Sequence, residues 1–407
     1  MPYIPYSPNQ AYLLPPSVAE VLGEGHLCFF VHALVERLDL SQFETAYGEQ
    51  GQRPYAPAMM LKLWLYAYTQ GVTSSRQLER LTRENLGYRY LAGNLEPDHW
   101  TLNHFLGRHR MAVNDVFTQV LETAREAGMG RLGVVAIDST RIAANASRDK
   151  LDSVARLRGQ RARLRRQVRR WQQKVRTESS AERGGGEIAA AELARLQRQL
   201  AGLPARLRAL ERSGAQRRSP VDPESRLLRA RDGFLLGYTG EIAVSQDHLI
   251  LAQRVTQAGN DNASLAAMVR AVEQQCGAAP ERALADASYF SYQQLRQVEA
   301  RGVEALVPDS MLSRELRTGR RAGWPHGSLR DPDHRRLRRR LRSPAGRALY
   351  ALRRCLVEPV FGTLKQQRAM RRFRRRGLAA VATEFGLACT AYNIARLFAS
   401  APRCHAG

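Results

Sequence analysis

Apolar residues along this chain change their spacing twice, and the changes divide it. From residue 1 to about 130 the spacing is helical. Pro57 opens a segment rich in Met, Leu, Trp and Tyr, Ala58 to Gln70, which Gly71 ends. Ser74-Ser75 starts the next, with Gln77 three residues after Ser74 in a capping-box pattern. Its apolar positions Leu78, Leu81 and Leu86 have Arg76, Arg80 and Arg83 as neighbours. Two short helices joined at Gly71-Val72-Thr73 fit a helix-turn-helix and fit a plain helical bundle equally well.

The spacing then shortens. Val134-Val135-Ala136-Ile137 is an unbroken apolar run, the pattern of a buried central strand, and it ends on Asp138. Thr140 to Ala146 continues it in a polar key. Phe234 to Thr256 alternates as a strand pair: Tyr238, Ile242 and Val244 precede the polar turn Gln246-Asp247-His248, and Leu249, Leu251 and Val255 follow it. A helix is expected from about Asn262 to Gln275. Ala283-Leu284-Ala285 is a second apolar run ending on a carboxylate, Asp286. Ser291 to Ala300 reads as helix, Ala305-Leu306-Val307 as strand, and roughly 345–370 and 377–399 as two final helices. Strands near 134–142, 234–245, 248–256, 282–286 and 304–308 are expected to share one mixed sheet, with Asp138 and Asp286 on adjacent strands.

Between 148 and 215 a third pattern interrupts the second. Leu193, Leu196, Leu200, Leu203, Leu207 and Leu210 recur at alternating spacings of three and four, as do Leu164, Val168, Trp171 and Val175 upstream. Gly184-Gly185-Gly186 separates the two stretches. The pattern predicts an antiparallel helical hairpin projecting from the core between its first two strands, its Arg-rich faces open to solvent or phosphate. Residues 314–343 are dominated by arginine and read as a segment without fixed structure, or one ordered only on DNA.

Composition adds one decisive fact. In 407 residues, 63 Lys and Arg oppose 38 Asp and Glu, a net charge of +25, in a chain otherwise ordinary for a soluble protein. A field of that sign attracts polyanions, nucleic acid above all; a ribosomal or membrane-surface protein is the competing class. Five scattered cysteines, Cys28, Cys276, Cys355, Cys389 and Cys404, have no CxxC or zinc-finger spacing and read as reduced thiols. The N-terminal stretch has neither a basic region nor a long apolar one, and no run of about 18 uninterrupted apolar residues occurs. A cytoplasmic, nucleoid-associated protein with no membrane partner is expected.

Three acids stand among apolar neighbours: Asp138, Asp286 and Glu358, the last within Cys355-Leu356-Val357-Glu358-Pro359-Val360-Phe361. Such acids are costly unless a basic residue or a metal neutralises them. Three carboxylates converging from separate elements suit Mg²⁺, a hard cation that keeps water and substrate phosphate in its other positions. Asp232, Asp247 and Asp261 compete on spacing alone. Pro359 disfavours helical geometry at Glu358, so it either starts a helix or kinks one.

In order, these pieces resemble the bacterial insertion-sequence transposases of the DDE type. Arg53-Pro54-Tyr55, Ser74-Ser75-Arg76 and Pro97-Asp98-His99-Trp100-Thr101 look like that family's N-terminal helical domain. Ile137-Asp138-Ser139-Thr140 with Ala144-Asn145-Ala146 looks like its first catalytic strand. Gly237-Tyr238, Val255-Thr256 and Asn260-Asp261 resemble its hairpin, Ala285-Asp286-Ala287-Ser288-Tyr289 its second-aspartate motif, and Val357-Glu358-Pro359-Val360-Phe361-Gly362 its glutamate motif. The family's Tyr-Arg-Glu-Lys signature is met by Tyr350, Glu358 and Lys365. Arg353 stands at the usual distance from Tyr350 and Arg354 at the usual distance from Glu358; Arg354 is favoured. Ser288 stands where the family often has Gly.

The resemblance implies an α/β fold: a ribonuclease-H-like mixed-sheet core over 129–399, interrupted by the hairpin at 148–215, after a DNA-binding helical domain at 1–128 and before a tail at 400–407. It implies a transposase that cuts DNA at insertion-sequence ends and joins them to target DNA. Asp138, Asp286 and Glu358 would be both catalytic and metal-ligating, with two Mg²⁺ ions that Mn²⁺ replaces. The resemblance places the DNA end at Tyr350, Arg354 and Lys365. Arg368, Arg371, Arg372, Arg374 and Arg375, a basic run directly after the glutamate motif, and Arg76 and Arg80 are read as further DNA contacts from their charge, a solvated face being the competing reading. A homodimer on DNA is the expected assembly, with no small-molecule substrate. A hydrolytic nuclease of the same superfamily and a catalytically silent DNA-binding descendant are the alternatives.

Overall fold

The computed structural model describes residues 17–45, 54–178, 185–230, 233–320 and 331–400. Most of the N-terminal stretch, Arg53, Gly184, Asp232, part of the arginine-rich segment (321–330) and the tail from 401 lie outside the described residues.

Among the described residues eight helices come first: α1 (Val18–Val21), α2 (Leu27–Glu36), α3 (Ser41–Glu44), α4 (Pro57–Thr69), α5 (Ser75–Glu84), α6 (Leu86–Ala92), α7 (His99–Arg108) and α8 (Arg110–Glu126). Every residue of α4 from Met59 to Thr69 is buried, so this helix is the centre of a bundle. Pro57 supplies its first turn, where a missing N–H costs nothing. The Trp64 indole N–H ties α4 to α7 by donating to the Leu102 carbonyl at 3.0 Å. The Ser74 hydroxyl caps α5 at the Gln77 N–H. Leu78 and Thr82 of α5 face inward, while Arg76, Arg80 and Arg83 stay exposed. α4 and α5 are joined at Gly71-Val72-Thr73, and α4 lies within a bundle.

Six strands form one mixed sheet: β1 (Val134–Ala143), β2 (Arg226–Ala230), β3 (Gly233–Val244), β4 (Ile250–Thr256), β5 (Arg282–Leu284) and β6 (Glu304–Leu306). The strand order is β2-β3-β1-β5-β6, and β4 also pairs with β3. β1 runs antiparallel to β3 and parallel to β5. Gly237 is required where β3 crosses β1: a Cβ there would sit 2.0 Å from the Ile142 carbonyl oxygen. β2 was not expected; Arg226-Leu227-Leu228-Arg229 is too short and too charged to signal a strand by period.

Between β1 and β2 lie α9 (Val154–Glu178) and α10 (Gly185–Arg212). Leu157, Leu164, Val168, Leu196, Leu203 and Leu210 form their own hydrophobic cluster, separate from the main core. The expected hairpin is therefore present, and its seam closes on itself. After β4 come α11 (Leu265–Cys276), α12 (Tyr292–Glu299), α13 (Ser310–Thr318), α14 (Pro332–Arg342), α15 (Pro344–Gln366) and α16 (Leu378–Ser400).

Two expectations for this region need correction. Residues 332–342 are helix, with Asp331 capping the N–H groups of Asp333 and His334. Their arginines meet acids: Arg340 bonds Glu304 at 2.9 Å, and Arg342 bonds Glu315 at 2.9 and 2.7 Å. Counting arginines along the chain missed partners on other elements. Second, of the two readings of Pro359 the start of a helix is excluded, because α15 runs from Pro344 to Gln366 with Pro359 inside it.

α16 is long and apolar enough to cross a membrane by composition, but 72% of that window is buried inside the protein. It packs on α4 and α8 of the bundle and on β4 of the sheet. Asn393 locks it to β4, accepting from the Ile250 N–H at 3.0 Å and donating to the Ile250 carbonyl at 2.8 Å.

Candidate active site

The register of β1 on β5 decides where the first two acids go. Val134, Val135 and Ala136 pair with Arg282, Ala283 and Leu284. Asp138 and Asp286 each lie two residues beyond the last pair, Asp138 still on β1 and Asp286 in the turn just past β5. The apolar runs before them are buried, so the sheet core pays out both carboxylates at one edge. Asp286 caps the short turn that follows, accepting from the Ser288 N–H at 2.9 Å and from the Ser288 hydroxyl.

A third carboxylate joins them from the turn after β4. Asp261 is 5% exposed. It accepts from the Ser288 hydroxyl at 3.2 Å and faces the Arg141 guanidinium at 3.3 Å. Arg141 also donates to the Thr239 hydroxyl at 2.8 Å and to the Gly259 carbonyl at 3.1 Å, pinning that turn to the sheet.

From the opposite side α15 presents Arg353, which donates to Asp138 Oδ2 at 2.9 Å. Tyr350, half-buried one turn earlier, bonds Arg353 through its hydroxyl. Spacing left Arg353 and Arg354 open and favoured Arg354. The structure turns Arg353 inward with Val357 and Val360 and leaves Arg354 exposed. Glu358 is exposed on the same helix. Among the described residues no group of three or more His, Cys, Asp or Glu is drawn close enough to hold a metal, so Glu358 does not close a set with Asp138 and Asp286 here.

The charges are unevenly balanced. Burial pushes the Asp138 carboxyl up to about 6, Asp286 and Asp261 add to the rise, and Arg353 opposes it. Burial works against the Arg353 charge, but Asp138, Tyr350 and Asp286 outweigh it and raise its pKa. Tyr350 is raised as well, chiefly by burial. A buried carboxyl that resists ionisation, with a second carboxylate near it, is what a hard divalent cation relieves, so Asp138 and Asp286 fit such an ion by donor chemistry.

Residues 231–394 match the family model described as a transposase DDE domain, and residues 17–108 match a transposase domain (DUF772). The chain belongs to the DDE insertion-sequence transposases. No curated protein and no solved structure matched it. Within this transposase, Asp286 and Glu358 lie inside the DDE match, whereas Asp138 and the helical hairpin fall between the two matched regions.

The arginines expected to hold DNA after the glutamate motif, Arg368 to Arg375, all lie in the loop between α15 and α16. α15 stops at Gln366, and the loop that follows runs beside the end of β1: Ala143 donates to the Arg371 carbonyl at 3.1 Å, and Phe373 donates to the Ala143 carbonyl at 2.8 Å. Arg371 and Arg372 are exposed. Arg368 donates to the Thr69 carbonyl, Arg374 to the Thr73 hydroxyl at 3.4 Å, and Arg375 to the Asn103 carbonyl at 2.8 Å. These three join the DDE-matched region of the transposase to its N-terminal bundle. Lys365, half-buried in the last turn of α15, has its pKa lowered by burial and by Arg371. Arg76 is exposed, and Arg80 pairs with Glu84 at 3.3 Å on the outer face of α5.

Sequence reasoning singled out Asp138 and Asp286, counted Asp261 only as a competitor, and missed Arg141. Asn260-Asp261 after the hairpin carried a signal, a polar pair in the turn leaving a buried strand. Arg141 carried none, since one arginine among 63 Lys and Arg is invisible until the fold gives it a partner.

Proposed function

We propose that this chain is a DNA transposase with a ribonuclease-H-like core, which cuts at the ends of an insertion sequence and joins the freed ends to target DNA. The observation that carries this is that Asp138 and Asp286 each stand two residues past the last register pair of the adjacent parallel strands β1 and β5, inside a DDE-family chain of net charge +25. The order of the sheet, with a central strand antiparallel to one neighbour and parallel to the other, supports the ribonuclease-H-like assignment.

Asp138 and Asp286 would hold divalent cations, Mg²⁺ or Mn²⁺, with Glu358 as the third carboxylate once α15 meets DNA. Bound there, such ions lower the pKa of an attacking water or hydroxyl and stabilise the leaving oxygen. Arg353 keeps the Asp138 carboxylate aimed and partly neutralised, and Tyr350 holds Arg353 in turn. Ser288 and Asp261 orient Asp286 from beneath. Arg354 and Lys365, at or near the surface of α15, would meet the phosphates of the DNA end, with Arg371 and Arg372 extending that surface. Holding two DNA ends together makes a homodimer the working assembly.

A second reading, a DNA-binding protein without catalysis, draws on one observation: Glu358 stands outside the aspartate pair. A strand-transfer assay with a pre-cleaved element end and a supercoiled target separates the readings. Joined product in Mg²⁺ supports the transposase; nicking without joining identifies a nuclease; DNA binding with neither reaction identifies the silent protein.

A further inference from the structure

The aspartate site does not account for the most exposed tryptophan on the bundle. Trp100, on the first turn of α7, is 66% exposed. Its ring lies flat on His104, centroids 4.8 Å apart and planes 8° from parallel, which leaves the other face open. It borders a cavity of about 410 Å³ whose wall includes Ser74, Arg76, Arg374 and Arg375. The one carboxylate on that wall, Glu384, is occupied by the backbone N–H groups of Arg374 and Arg375, at 2.9 Å each. A flat aromatic stack with one free face beside cations is complementary to a nucleobase and its phosphate. Bases inside a duplex are covered on both faces by their neighbours, whereas an unpaired base offers a free face to the platform.

We propose that Trp100 and His104 form a stacking platform for an unpaired DNA base, with a phosphate of the same strand received at Arg76 and Arg374. The inference rests on the transposase reading for its choice of nucleic acid, and it adds a site about which that reading says nothing.

The test uses the full chain and a short single-stranded oligonucleotide carrying 2-aminopurine, with a fully paired duplex beside it. Trp100→Ala and Trp100→Leu should each weaken single-strand binding by about 5- to 150-fold and abolish quenching of the 2-aminopurine. Trp100→Phe, which keeps a flat ring, should retain most of both. Arg76→Ala should flatten the single-strand salt slope by about 0.7. Duplex affinity and melting temperature should not change, since the side chain is largely exposed. Unchanged single-strand affinity in Trp100→Ala overturns the proposal, and so does wild-type binding by Trp100→Leu. A shift in oligomeric state with no loss of single-strand binding would assign the patch to contact between copies instead. Failure of the transposase reading appears separately, as absence of joined product from the wild-type chain in the strand-transfer assay.

Discussion

At Asp138, burial and neighbouring acids favour the neutral carboxyl, while Arg353 and any bound cation favour the charged one. Its folded pKa of about 6 lies above the ordinary aspartate value. The metal-free protein therefore draws stability from this group at acid pH and loses it as pH rises towards 6. A cation needs the ionised form, so Mn²⁺ affinity followed by calorimetry should fall up to about tenfold per pH unit below 6. Affinity that is flat from pH 5 to 7.5 would remove Asp138 from the ligand set. Asp138→Asn, Asp286→Asn and Glu358→Gln should each abolish cleavage and joining and leave DNA affinity nearly unchanged; strand transfer near the wild-type level would clear the residue concerned. Among the basic pair, Arg353→Ala should cost far more activity than Arg354→Ala, because only Arg353 reaches Asp138. Asp261→Asn should raise the cation concentration needed for half-maximal cleavage, since it loosens the Ser288 contact to Asp286.

The helical hairpin shows what an element can decide alone. Its leucines meet each other and not the sheet, so the a/d spacing was sufficient to predict the pairing of α9 with α10. Replacing residues 154–212 by a short linker should leave the remainder folding cooperatively, read by thermal melting. Leu203→Ala, at a position 3% exposed, should cost about 2–5 kcal/mol within the arm. Hydrogen exchange should then show the loss in α9 and α10 amides and full protection in β1 and β3. α15 is the opposite case. Pro359 argued against continuous helix, yet Leu356, Val357, Val360, Phe361 and Leu364 bury one face around it, and packing outweighs the local preference.

Across the whole molecule, the loop after α15 works as a joint. Gly71 approaches it so closely that a Cβ would stand 2.3 Å from the Gln367 carbonyl oxygen, and its φ of +73° already favours glycine. Arg368, Arg374 and Arg375 make polar bonds across the same seam. The loop's arginines should therefore divide by role, with Arg374 alone serving both the seam and the proposed single-strand phosphate contact. Arg371→Ala with Arg372→Ala should flatten the salt dependence of duplex binding by up to about two units, with little change in melting temperature. Arg374→Ala with Arg375→Ala should lower the melting temperature, because both lie against the bundle. Equal salt slopes for the first pair and the wild type would make those two arginines a solvated face.

The order of elements, the aspartate-tipped strands and the self-closing hairpin were all present in the sequence, because each depends on a period of two or of three to four residues within one segment. The charge of +25 likewise pointed to a polyanion without any fold. The rest depended on partners far apart in the chain. Arg353 rather than Arg354 reaches Asp138 because the packed face of α15 sets the helix's rotation. Asp261 enters the site because Arg141, 120 residues away, holds its turn against β1. Arg368, Arg374 and Arg375 bond the bundle, while Arg371 and Arg372 face solvent, because the chain leaves the helix at Gln366 and runs beside β1 and the bundle. A residue's period is a local property, whereas its partner is chosen by the packing of the whole chain.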